Sequence, residues 1–416
     1  MTLPFSRVAV LGLGYIGLPT AAALAGQGVE VIGVDVNERV VETLRRGGIH
    51  IVEAGLDGIV KAAVLAGRLR PVTRPEPAEA FLIAVPTPFR EGHRPDLSFV
   101  QAAAQAIAPV LARGNLVVLE STSPVGTTEQ VARWLAELRP DLSFPHQAGE
   151  VADVQVAHCP ERVLPGRVLV ELVENDRVIG GLTPRCAARA AELYRIFVRG
   201  ECVPTTAATA ELVKLTENAY RDVNIAFANE LSLVCERLGV DVWELIRLAN
   251  RHPRVKILQP GPGVGGHCIA VDPWFIVSAA PEEARLIRTA REVNDGKPRH
   301  VIAQVTQAAA RFKAPVVACL GLAFKADIDD LRESPALVIV RDLAGRRLGR
   351  LLVVEPYIEA LPAGLQGLAD VHLVPAEAAL AQADIVLLLV DHRSFKQLDR
   401  ALLRDKVLID TRGLWR

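Results

Sequence analysis

The stretch Val8-Ala-Val-Leu-Gly12-Leu-Gly14-Tyr15-Ile16-Gly17-Leu-Pro19 decides the fold of the first half of the chain. It places the pattern Gly-x-Gly-x-x-Gly between a short apolar run and an alanine- and leucine-rich run. Such glycines permit a tight turn from a strand into a helix, where backbone N–H groups can meet a pyrophosphate. The stretch therefore predicts a dinucleotide-binding turn.

An acidic residue follows where this turn needs one. Asp35 ends the next apolar run, Val31-Ile-Gly-Val, about where the ribose hydroxyls of a bound dinucleotide lie. Its carboxylate repels a 2′-phosphate, so it favours NAD over NADP. The alternative is that the turn glycines serve only tight packing.

Apolar runs alternate with helical runs in both halves of the chain, which predicts doubly wound parallel sheets. Between the halves, residues 209–238 have helical periodicity without Pro or Gly and end at Gly239. We expect an α/β fold of two Rossmann-like domains bridged by this long helix and a helical segment, with domains at 1–203, 204–305 and 306–416. The helix is long enough to pair with its copy in a homodimer or higher oligomer. The predicted strands are 7–11, 29–34, 81–85, 116–120, 156–160 and 178–180, and then 316–321, 351–355, 371–374, 385–390 and 407–410.

Composition excludes several classes of protein. The 416 residues have a net charge of -1 with dispersed Lys and Arg, so no cationic surface for nucleic acid is indicated. Apolar runs are too short for a membrane span of about 20 residues. The six cysteines form no Cys-x-x-Cys pair, which argues against a zinc site or disulfide framework. We expect no metal, and reduced thiols in a cytoplasm.

The turn that opens the second α/β half differs from the first. It has only Gly321 before Leu-Ala-Phe324-Lys325, which is poorly suited to admit a pyrophosphate against the backbone. We expect this half to hold something other than a dinucleotide.

Two hydroxyl-bearing turns follow predicted strands, Pro86-Thr87-Pro88 and Glu120-Ser-Thr122-Ser-Pro124. Ligands of open sheets bind at the carboxyl ends of strands, where these hydroxyls should lie. An ordinary structural turn is an equally good interpretation of each.

The loop Gly261-Pro-Gly-Val-Gly265-Gly-His267-Cys268-Ile-Ala-Val-Asp272 is the most informative of the chain. Four glycines within six residues let the backbone approach a ligand closely and present a thiol, which is a candidate nucleophile. His267 is either a base or a packing residue. The other five cysteines are interpreted as small apolar core residues.

Three polar residues of the long helix, Lys214, Asn218 and Arg221, share one face at i, i+4 and i+7. An ammonium beside an amide can stabilise an oxyanion on a carbon attached to sulfur, and Arg221 can reach a carboxylate or phosphate. The alternative is a solvated charged stripe.

Taken together, the motifs resemble those of the nucleotide-sugar 6-dehydrogenases, the UDP-glucose/GDP-mannose dehydrogenase family. The resemblance covers nearly the whole chain and follows the family order of motifs. The matching segments are Gly12–Pro19, Pro86–Pro88, Ser121–Gly126, Cys159-Pro-Glu161-Arg162, Lys214–Asn218, Gly261–Asp272, and Gly321–Lys325 with Arg332-Glu-Ser-Pro335.

The resemblance implies a four-electron oxidation of a sugar C6 alcohol through a thiohemiacetal and a thioester. It implies Cys268 as nucleophile, Lys214 and Asn218 as oxyanion partners, and Glu161 as base for hydrolysis. Asp272 and Thr122 are implied to position the water. The residues implied to contact NAD are Gly12, Gly14, Tyr15, Ile16, Gly17, Asp35, Thr87, Thr122 and Arg332.

The same resemblance implies a UDP-sugar substrate. Within the family, residues 159–166, 174–178 and 251–254 are most similar to the enzymes that act on UDP-N-acetyl-D-mannosamine, and Arg162 replaces the Phe usual in UDP-glucose and GDP-mannose enzymes. Arg412 replaces an expected Lys and keeps the charge. The residues implied to contact the substrate are Arg162, Val163, Lys214, Asn218, Arg221, His252, Arg254, Gly265, Phe324, Lys325 and Arg412.

Alternatives remain within and outside this family. UDP-N-acetylglucosamine or UDP-glucose are the other candidate substrates. A β-hydroxyacid-type dehydrogenase also combines a Rossmann domain with a catalytic Lys and Asn, but it transfers a single hydride and uses no cysteine nucleophile. A nucleotide-sensing protein without catalysis is the third interpretation.

Overall fold

The computed structural model describes residues 3–51, 53–163, 166–266 and 268–415. The chain divides into two compact units, residues 1–216 and 217–416, and the division falls inside one 32-residue helix. Among the described residues no helix is both long enough and apolar enough to cross a membrane.

The first unit is built on an eight-stranded sheet in the order β10-β9-β8-β7-β4-β1-β2-β3, and a short antiparallel hairpin of β5 and β6 stands apart from it. The strands are β1 (Arg7–Leu11), β2 (Glu30–Val34), β3 (Leu69–Val72), β4 (Ala80–Ile83), β5 (Phe89–Arg90), β6 (Arg94–Pro95), β7 (Leu116–Leu119), β8 (Gln155–His158), β9 (Arg177–Gly181) and β10 (Cys202–Thr206).

Helices cover both faces of this sheet because the strand side chains alternate between two cores. Val8 and Val10 of β1 belong to one apolar cluster, and Ala9 and Leu11 belong to the other. The helices are α1 (Gly17–Gly26), α2 (Glu38–Arg45), α3 (Leu56–Leu65), α4 (Ser98–Ile107), α5 (Thr127–Leu138), α6 (Pro145–Ala148), α7 (Val168–Glu174), α8 (Pro184–Tyr194) and α9 (Ala207–Leu238). The expected α/β fold with a parallel sheet is confirmed.

Two features of this sheet differ from the prediction. The sequence does not predict β3 and β10, because Pro71 and Pro204 interrupt them. Both are edge strands, the position where a strand tolerates a missing N–H donor. In addition, β9 runs antiparallel to β8. Residues 159–176 therefore start and finish at the same edge, where the carboxyl ends of the parallel strands lie.

The second unit contains a parallel five-stranded sheet in the order β13-β12-β11-β14-β15, with apolar clusters on both faces. All five predicted strands are present. Its strands are β11 (Val316–Leu320), β12 (Arg350–Val354), β13 (Val371–Leu373), β14 (Ile385–Leu388) and β15 (Val407–Asp410). Its further helices are α10 (Val242–Ala249), α11 (Asp272–Ala279), α12 (Arg285–Ala309), α13 (Pro335–Arg346), α14 (Ala376–Gln382) and α15 (Arg393–Lys396).

The predicted long helix is confirmed as α9. It ends before Gly239, whose φ of +68° is the left-handed conformation that closes many helices, and the N–H of Val240 bonds back to the Cys235 carbonyl. At 1.5 Å per residue, α9 is about 48 Å long.

Candidate active site

The three glycines of the first turn have three different surroundings. Gly12 adopts φ +89°, and a Cβ there would lie 2.5 Å from the Ala84 carbonyl oxygen. A Cβ at Gly17 would collide with the Gly12 carbonyl oxygen. At Gly14 a Cβ would meet no atom within 4 Å. The first and third glycines are thus explained by packing, whereas the second leaves open space, which close approach of a pyrophosphate to the backbone requires.

Asp35 lies beside this turn, immediately after β2. Its carboxylate accepts the N–H of Leu13 at 3.0 Å and the N–H of Asn37 at 2.9 Å. Tyr15 is exposed at the start of α1, and Ile16 precedes the first helical residue. The turn, its open glycine and the half-buried carboxylate fit the pyrophosphate and adenosine ribose of a dinucleotide.

The two hydroxyl-bearing turns are brought together, because β4 and β7 are neighbours in the sheet. The Thr87 hydroxyl donates to the Thr122 carbonyl oxygen at 2.5 Å. Ser121 and Ser123 likewise donate their hydroxyls to backbone carbonyls of these turns. The hydroxyl protons of Thr87, Ser121 and Ser123 thus bond within the turns, and the expected ligand contacts of Thr87 and Thr122 stay predictions.

Glu161 lies in a buried polar cluster that the sequence analysis did not foresee. Its carboxylate accepts from the Arg177 guanidinium at 2.7 Å and from the Arg162 backbone N–H at 2.6 Å. Arg177 opens β9, so the antiparallel course of that strand places it beside the segment that follows β8. The Arg162 side chain donates to the Asp176 carbonyl oxygen. Val163, the next residue, is half-buried.

A second carboxylate, Glu120, lies in the same cluster. Burial raises the pKa of Glu120 to about 7, although the hydrogen bond from the Tyr194 hydroxyl at 2.6 Å opposes the shift. Burial also raises the pKa of Cys159 to about 12, so this thiol stays protonated as an apolar core residue. The interpretation of Cys159 as a core residue agrees with its surroundings.

On α9, Lys214 is half-buried, Asn218 is buried and Arg221 is exposed. The Asn218 amide donates to the Asp272 carboxylate. Asp272 begins α11, and its N–H and that of Val271 both bond to the Cys268 carbonyl oxygen. A continuous set of hydrogen bonds thus joins the proposed oxyanion partner Asn218 to the backbone of the proposed nucleophile.

The glycines ahead of Cys268 are explained by close packing within the second unit. A Cβ at Gly265 would collide with the Glu333 carbonyl oxygen, and one at Gly266 would lie 3.0 Å from the Phe324 ring. At Gly263 it would lie 2.9 Å from Pro335. Phe324 and Gly265, both expected to contact substrate, are therefore neighbours. Cys268 itself is half-buried, and His267 lies outside the described residues.

The turn of the second sheet holds a carboxylate at its backbone N–H groups. Glu355, which directly follows β12, accepts the N–H of Leu322 at 2.7 Å and of Ala323 at 3.0 Å. Buried His392 contacts the same carboxylate at 3.1 Å. These N–H groups are thus already bonded, which agrees with the expectation that this turn does not receive a pyrophosphate.

The remaining predicted residues lie on loops of the second unit. Lys325 is exposed next to Phe324, and Arg332 forms an ion pair with Asp330 at 2.6 Å. His252 and Arg254 are exposed after α10. Arg412 donates to the Leu389 carbonyl oxygen at 3.1 Å, and its guanidinium borders Gly261 at the start of the cysteine loop. Among the described residues, no three His, Cys, Asp or Glu side chains are grouped as metal ligands.

Sequence reasoning missed Arg177, Glu120 and Tyr194, and it missed Asn229, which bonds to Gly261 from α9. Arg177 lies in a segment that the sequence analysis used only to compare subfamilies. Asn229 follows Asn218 by 11 residues, which is about three helical turns. This spacing places both residues on the same face of α9, and it is the sequence signal from which Asn229 could have been found.

Comparison with known proteins shows the family of the chain. Three family models of the UDP-glucose/GDP-mannose dehydrogenase family match in order: the NAD binding domain over residues 6–198, the central domain over 208–296 and the UDP binding domain over 318–416. The class is that of NAD-dependent dehydrogenases that act on nucleotide sugars. The chain belongs to the UDP-glucose/GDP-mannose dehydrogenase family, and the expected cofactor NAD is confirmed.

Several relatives are similar over their full length. An NDP-N-acetyl-D-galactosaminuronic acid dehydrogenase of Ralstonia nicotianae is 67% identical, with 99% of this chain and 97% of the relative covered. A UDP-N-acetyl-D-mannosamine dehydrogenase of Yersinia pestis is 62% identical over 100% of both chains. The solved UDP-D-ManNAc dehydrogenase of Pyrococcus horikoshii is 41% identical with a TM-score of 0.88, covering 99% of this chain and 96% of that one.

Proposed function

We propose that the chain oxidises the C6 alcohol of UDP-N-acetyl-D-mannosamine to the carboxylate of UDP-N-acetyl-D-mannosaminuronate. One sugar nucleotide, two NAD⁺ and one water give one acid, two NADH and three protons. The observation that carries the proposal is the glycine loop that presents Cys268 next to the Asn218–Asp272 hydrogen bond. NAD, when bound, accepts the hydride in both oxidation steps.

In this proposal Cys268 retains the aldehyde between the two oxidations. Its thiolate adds to the aldehyde carbon to form a thiohemiacetal, and loss of the second hydride leaves a thioester on the same sulfur. Lys214 and Asn218 stabilise the tetrahedral oxyanion on that carbon, an effect often worth a few kcal/mol. Covalent capture prevents escape of the aldehyde.

Hydrolysis of the thioester requires a base, for which we propose Glu161, with Asp272 and Thr122 positioning the water. The hydrogen bonds from Arg177 and from the Arg162 N–H fix the Glu161 carboxylate in one orientation. The water adds to the thioester carbon, its proton passes to Glu161, and the Cys268 thiolate leaves.

We propose that NAD binds at the first turn and Asp35, and that Thr87, Thr122 and Arg332 also contact it. The substrate diphosphate and uridine are assigned to cationic and loop residues of the chain. We propose that these substrate contacts are Arg162, Val163, Lys214, Asn218, Arg221, His252, Arg254, Gly265, Phe324, Lys325 and Arg412. The domain division at 1–203, 204–305 and 306–416 also remains a proposal.

A second candidate substrate is the corresponding N-acetyl-D-galactosamine nucleotide. It is favoured by the two Ralstonia relatives at 66–67% identity, which are named for the galactosaminuronic acid. Both candidates are N-acetylated hexosamines on a diphosphate, and they differ in ring stereochemistry. The mechanism above is the same for either.

We also propose that the chain works as a homodimer or higher homo-oligomer in a reducing, cytoplasmic compartment. Exposed apolar side chains recur along one face of α9 at intervals of seven, seven and four residues: Tyr220, Phe227, Val234 and Leu238, exposed by 70%, 52%, 46% and 69%. Leu286 of α12 and Phe227 line one groove between the two helices. A stripe of this kind fits a second copy packed across a two-fold axis.

The proposal of a reducing compartment is supported by the cysteines, because all six are free thiols.

The oligomer is tested with Phe227→Glu, which should shift the molar mass measured by light scattering toward the monomer. Leu65→Glu is the matched control, because Leu65 is 77% exposed on α3 in the first unit. Equal masses for both variants would contradict the proposed interface.

The function is tested by measuring NADH formed per sugar nucleotide consumed. The panel is UDP-N-acetyl-D-mannosamine, UDP-N-acetyl-D-galactosamine, UDP-N-acetylglucosamine and UDP-glucose. Two NADH per molecule of the first compound supports the proposal, and two with the second supports the alternative sugar. One NADH per molecule indicates β-hydroxyacid-type chemistry and overturns the four-electron mechanism.

Two variants then separate the steps. Cys268→Ser should form no acid while still binding the sugar nucleotide. Glu161→Gln should accumulate the sugar as a covalent adduct on Cys268, visible in the mass of the intact chain. Normal acid formation by Cys268→Ser would remove the thioester from the mechanism.

A further inference from the structure

Buried amides and carboxylates line the face of α9 that points away from the exposed apolar stripe. Asn218, Asp222 and Asn229 are all buried. Asn218 bonds to Asp272, four residues after Cys268, and the Asn229 side-chain oxygen accepts the Gly261 N–H at 2.8 Å, seven residues before it. One rigid helix is therefore bonded to both ends of the cysteine loop.

The orientation of the Asn229 amide is set by a chain of hydrogen bonds. Its nitrogen donates to the Asn294 side-chain oxygen at 2.8 Å, and the Asn294 nitrogen donates to the Asp222 carboxylate at 2.8 Å. Arg291 of α12 donates to the same carboxylate at 2.5 Å. Burial raises the pKa of Asp222 to about 6, so above that pH the carboxylate beside Arg291 is ionised and only accepts hydrogen bonds.

This restriction fixes the direction of every bond in the chain. Because Asp222 accepts, Asn294 must present its nitrogen to Asp222 and its oxygen to Asn229. Asn229 must then present its nitrogen to Asn294, which leaves its oxygen for the Gly261 N–H. A flip of either amide would bring two acceptors or two donors together in a buried site, which is strongly unfavourable.

If the hydrogen bond between Asn229 and Gly261 is lost, the loop cannot move without changing its packing contacts. At Gly261 a Cβ would lie 2.9 Å from the Arg412 guanidinium, and Gly263 is packed against Pro335 and Pro298. A small displacement of Gly261 therefore changes its contact with Arg412, which is expected to bind substrate, and the packing of Gly263 two residues later. It also changes the approach of the loop to Cys268.

We propose that Asn229 is a positioning residue for the Cys268 loop, oriented through Asn294 by the Asp222–Arg291 ion pair. The proposal rests on the proposed function in that Cys268 is the nucleophile. Asn229 touches no reacting atom. It holds the Gly261 end of the loop while Asn218 holds the Asp272 end, so that the thiol stays at a constant position through both oxidations.

Two substitutions at this position separate positioning from stability. Asn229→Ala removes the acceptor for the Gly261 N–H and the donor to Asn294. Asn229→Asp keeps an acceptor for Gly261 but sets its second oxygen against the Asn294 oxygen, so its free energy of unfolding should fall at least as much. Positioning predicts that Asn229→Asp retains kcat and Cys268 reactivity better than Asn229→Ala.

The matched control is Asn115→Ala in the first unit. Asn115 is buried and accepts the Ala112 backbone N–H at 2.7 Å, the same kind of bond on a turn that contains no proposed site residue. It should lower stability while leaving kcat unchanged.

Three measurements are made on the full-length enzyme well below its melting temperature. They are amide hydrogen exchange of residues 258–266, the rate of Cys268 alkylation by iodoacetamide, and kcat with the sugar nucleotide that the panel selects. In Asn229→Ala we expect exchange about tenfold faster and kcat about tenfold lower, the factor that corresponds to about 1.4 kcal/mol for one lost hydrogen bond.

Two results would overturn the positioning role. One is unchanged hydrogen exchange of the loop in Asn229→Ala, and the other is a ranking of the three variants by kcat that is the same as their ranking by unfolding free energy. Failure of the proposed function has a different signature, because Cys268→Ser would then remain active whatever the hydrogen exchange of the loop shows.

Discussion

The Arg177 guanidinium donates to the Glu161 carboxylate over 2.7 Å, and both side chains are almost wholly buried. Removing one member of such a pair leaves an uncompensated buried charge, whereas replacing both members is much less costly. Arg177→Met should therefore lower the free energy of unfolding by about 3–5 kcal/mol. In the double variant with Glu161→Gln the loss should be much smaller than the sum of the two single losses.

The control for this cycle is the exposed pair Arg133–Glu129, which has a similar distance of 2.6 Å on the surface of α5. Arg133→Met should cost about 0.5 kcal/mol or less in urea unfolding. Equal losses for Arg177→Met and Arg133→Met would show that the buried pair has no special energetic role.

Glu120 predicts a pH dependence of stability. Because burial raises its pKa from 4.5 to about 7, the folded state holds this proton more tightly than the unfolded state. Stability from this group is therefore full below pH 4.5 and falls as the pH rises to about 7, by up to about 3 kcal/mol.

Glu120→Gln keeps a neutral side chain at all pH values, so it should remove this slope. The measurement is the difference in unfolding free energy between the wild type and Glu120→Gln at pH 5 and at pH 8, in which the contributions of other groups cancel. A difference that does not change between the two pH values would contradict the raised pKa.

Asp35 predicts cofactor choice. Asp35→Asn removes the charge and keeps one oxygen that can accept the Leu13 N–H, while its amide nitrogen faces the exposed Asn37 N–H, where water replaces the lost acceptor. The ratio of kcat/KM for NAD to that for NADP should fall about tenfold, because a 2′-phosphate is no longer repelled by about 1.4 kcal/mol. An unchanged ratio, measured with both cofactors on the same preparation, would place the ribose elsewhere.

How much could be predicted from sequence depended on the range of the interaction. The glycine turn, Asp35, α9 and all strands of the second sheet follow from local patterns, and each is present. The edge strands β3 and β10 escaped prediction because their prolines oppose a local strand signal that only the sheet edge makes acceptable.

The site was predicted less completely than the fold. Thr87 and Thr122 follow from strand order, because neighbouring parallel strands end at one edge. Arg177 and Glu161 are 16 residues apart and meet only because β9 turns antiparallel, and Asn229 meets Gly261 across 32 residues. Such pairings depend on tertiary packing, for which one sequence contains no periodic signal.

Alanine substitutions at Gly14 and Gly17 separate the two interpretations of the first turn, ligand approach and mere packing. Gly14→Ala adds a Cβ that meets no protein atom, whereas in Gly17→Ala the Cβ collides with the Gly12 carbonyl oxygen. Gly14→Ala should therefore melt at the wild-type temperature but show a raised KM for NAD, since the methyl group occupies space that the pyrophosphate approaches. Gly17→Ala should lose stability, because overpacking of this kind typically costs about 1–3 kcal/mol.

The measurements are thermal unfolding without cofactor and the KM for NAD at saturating sugar nucleotide. If Gly14→Ala had a normal KM and a normal melting temperature, the open space at Gly14 would have no part in binding the dinucleotide, and only Gly12 and Gly17 of the pattern would be explained, by packing.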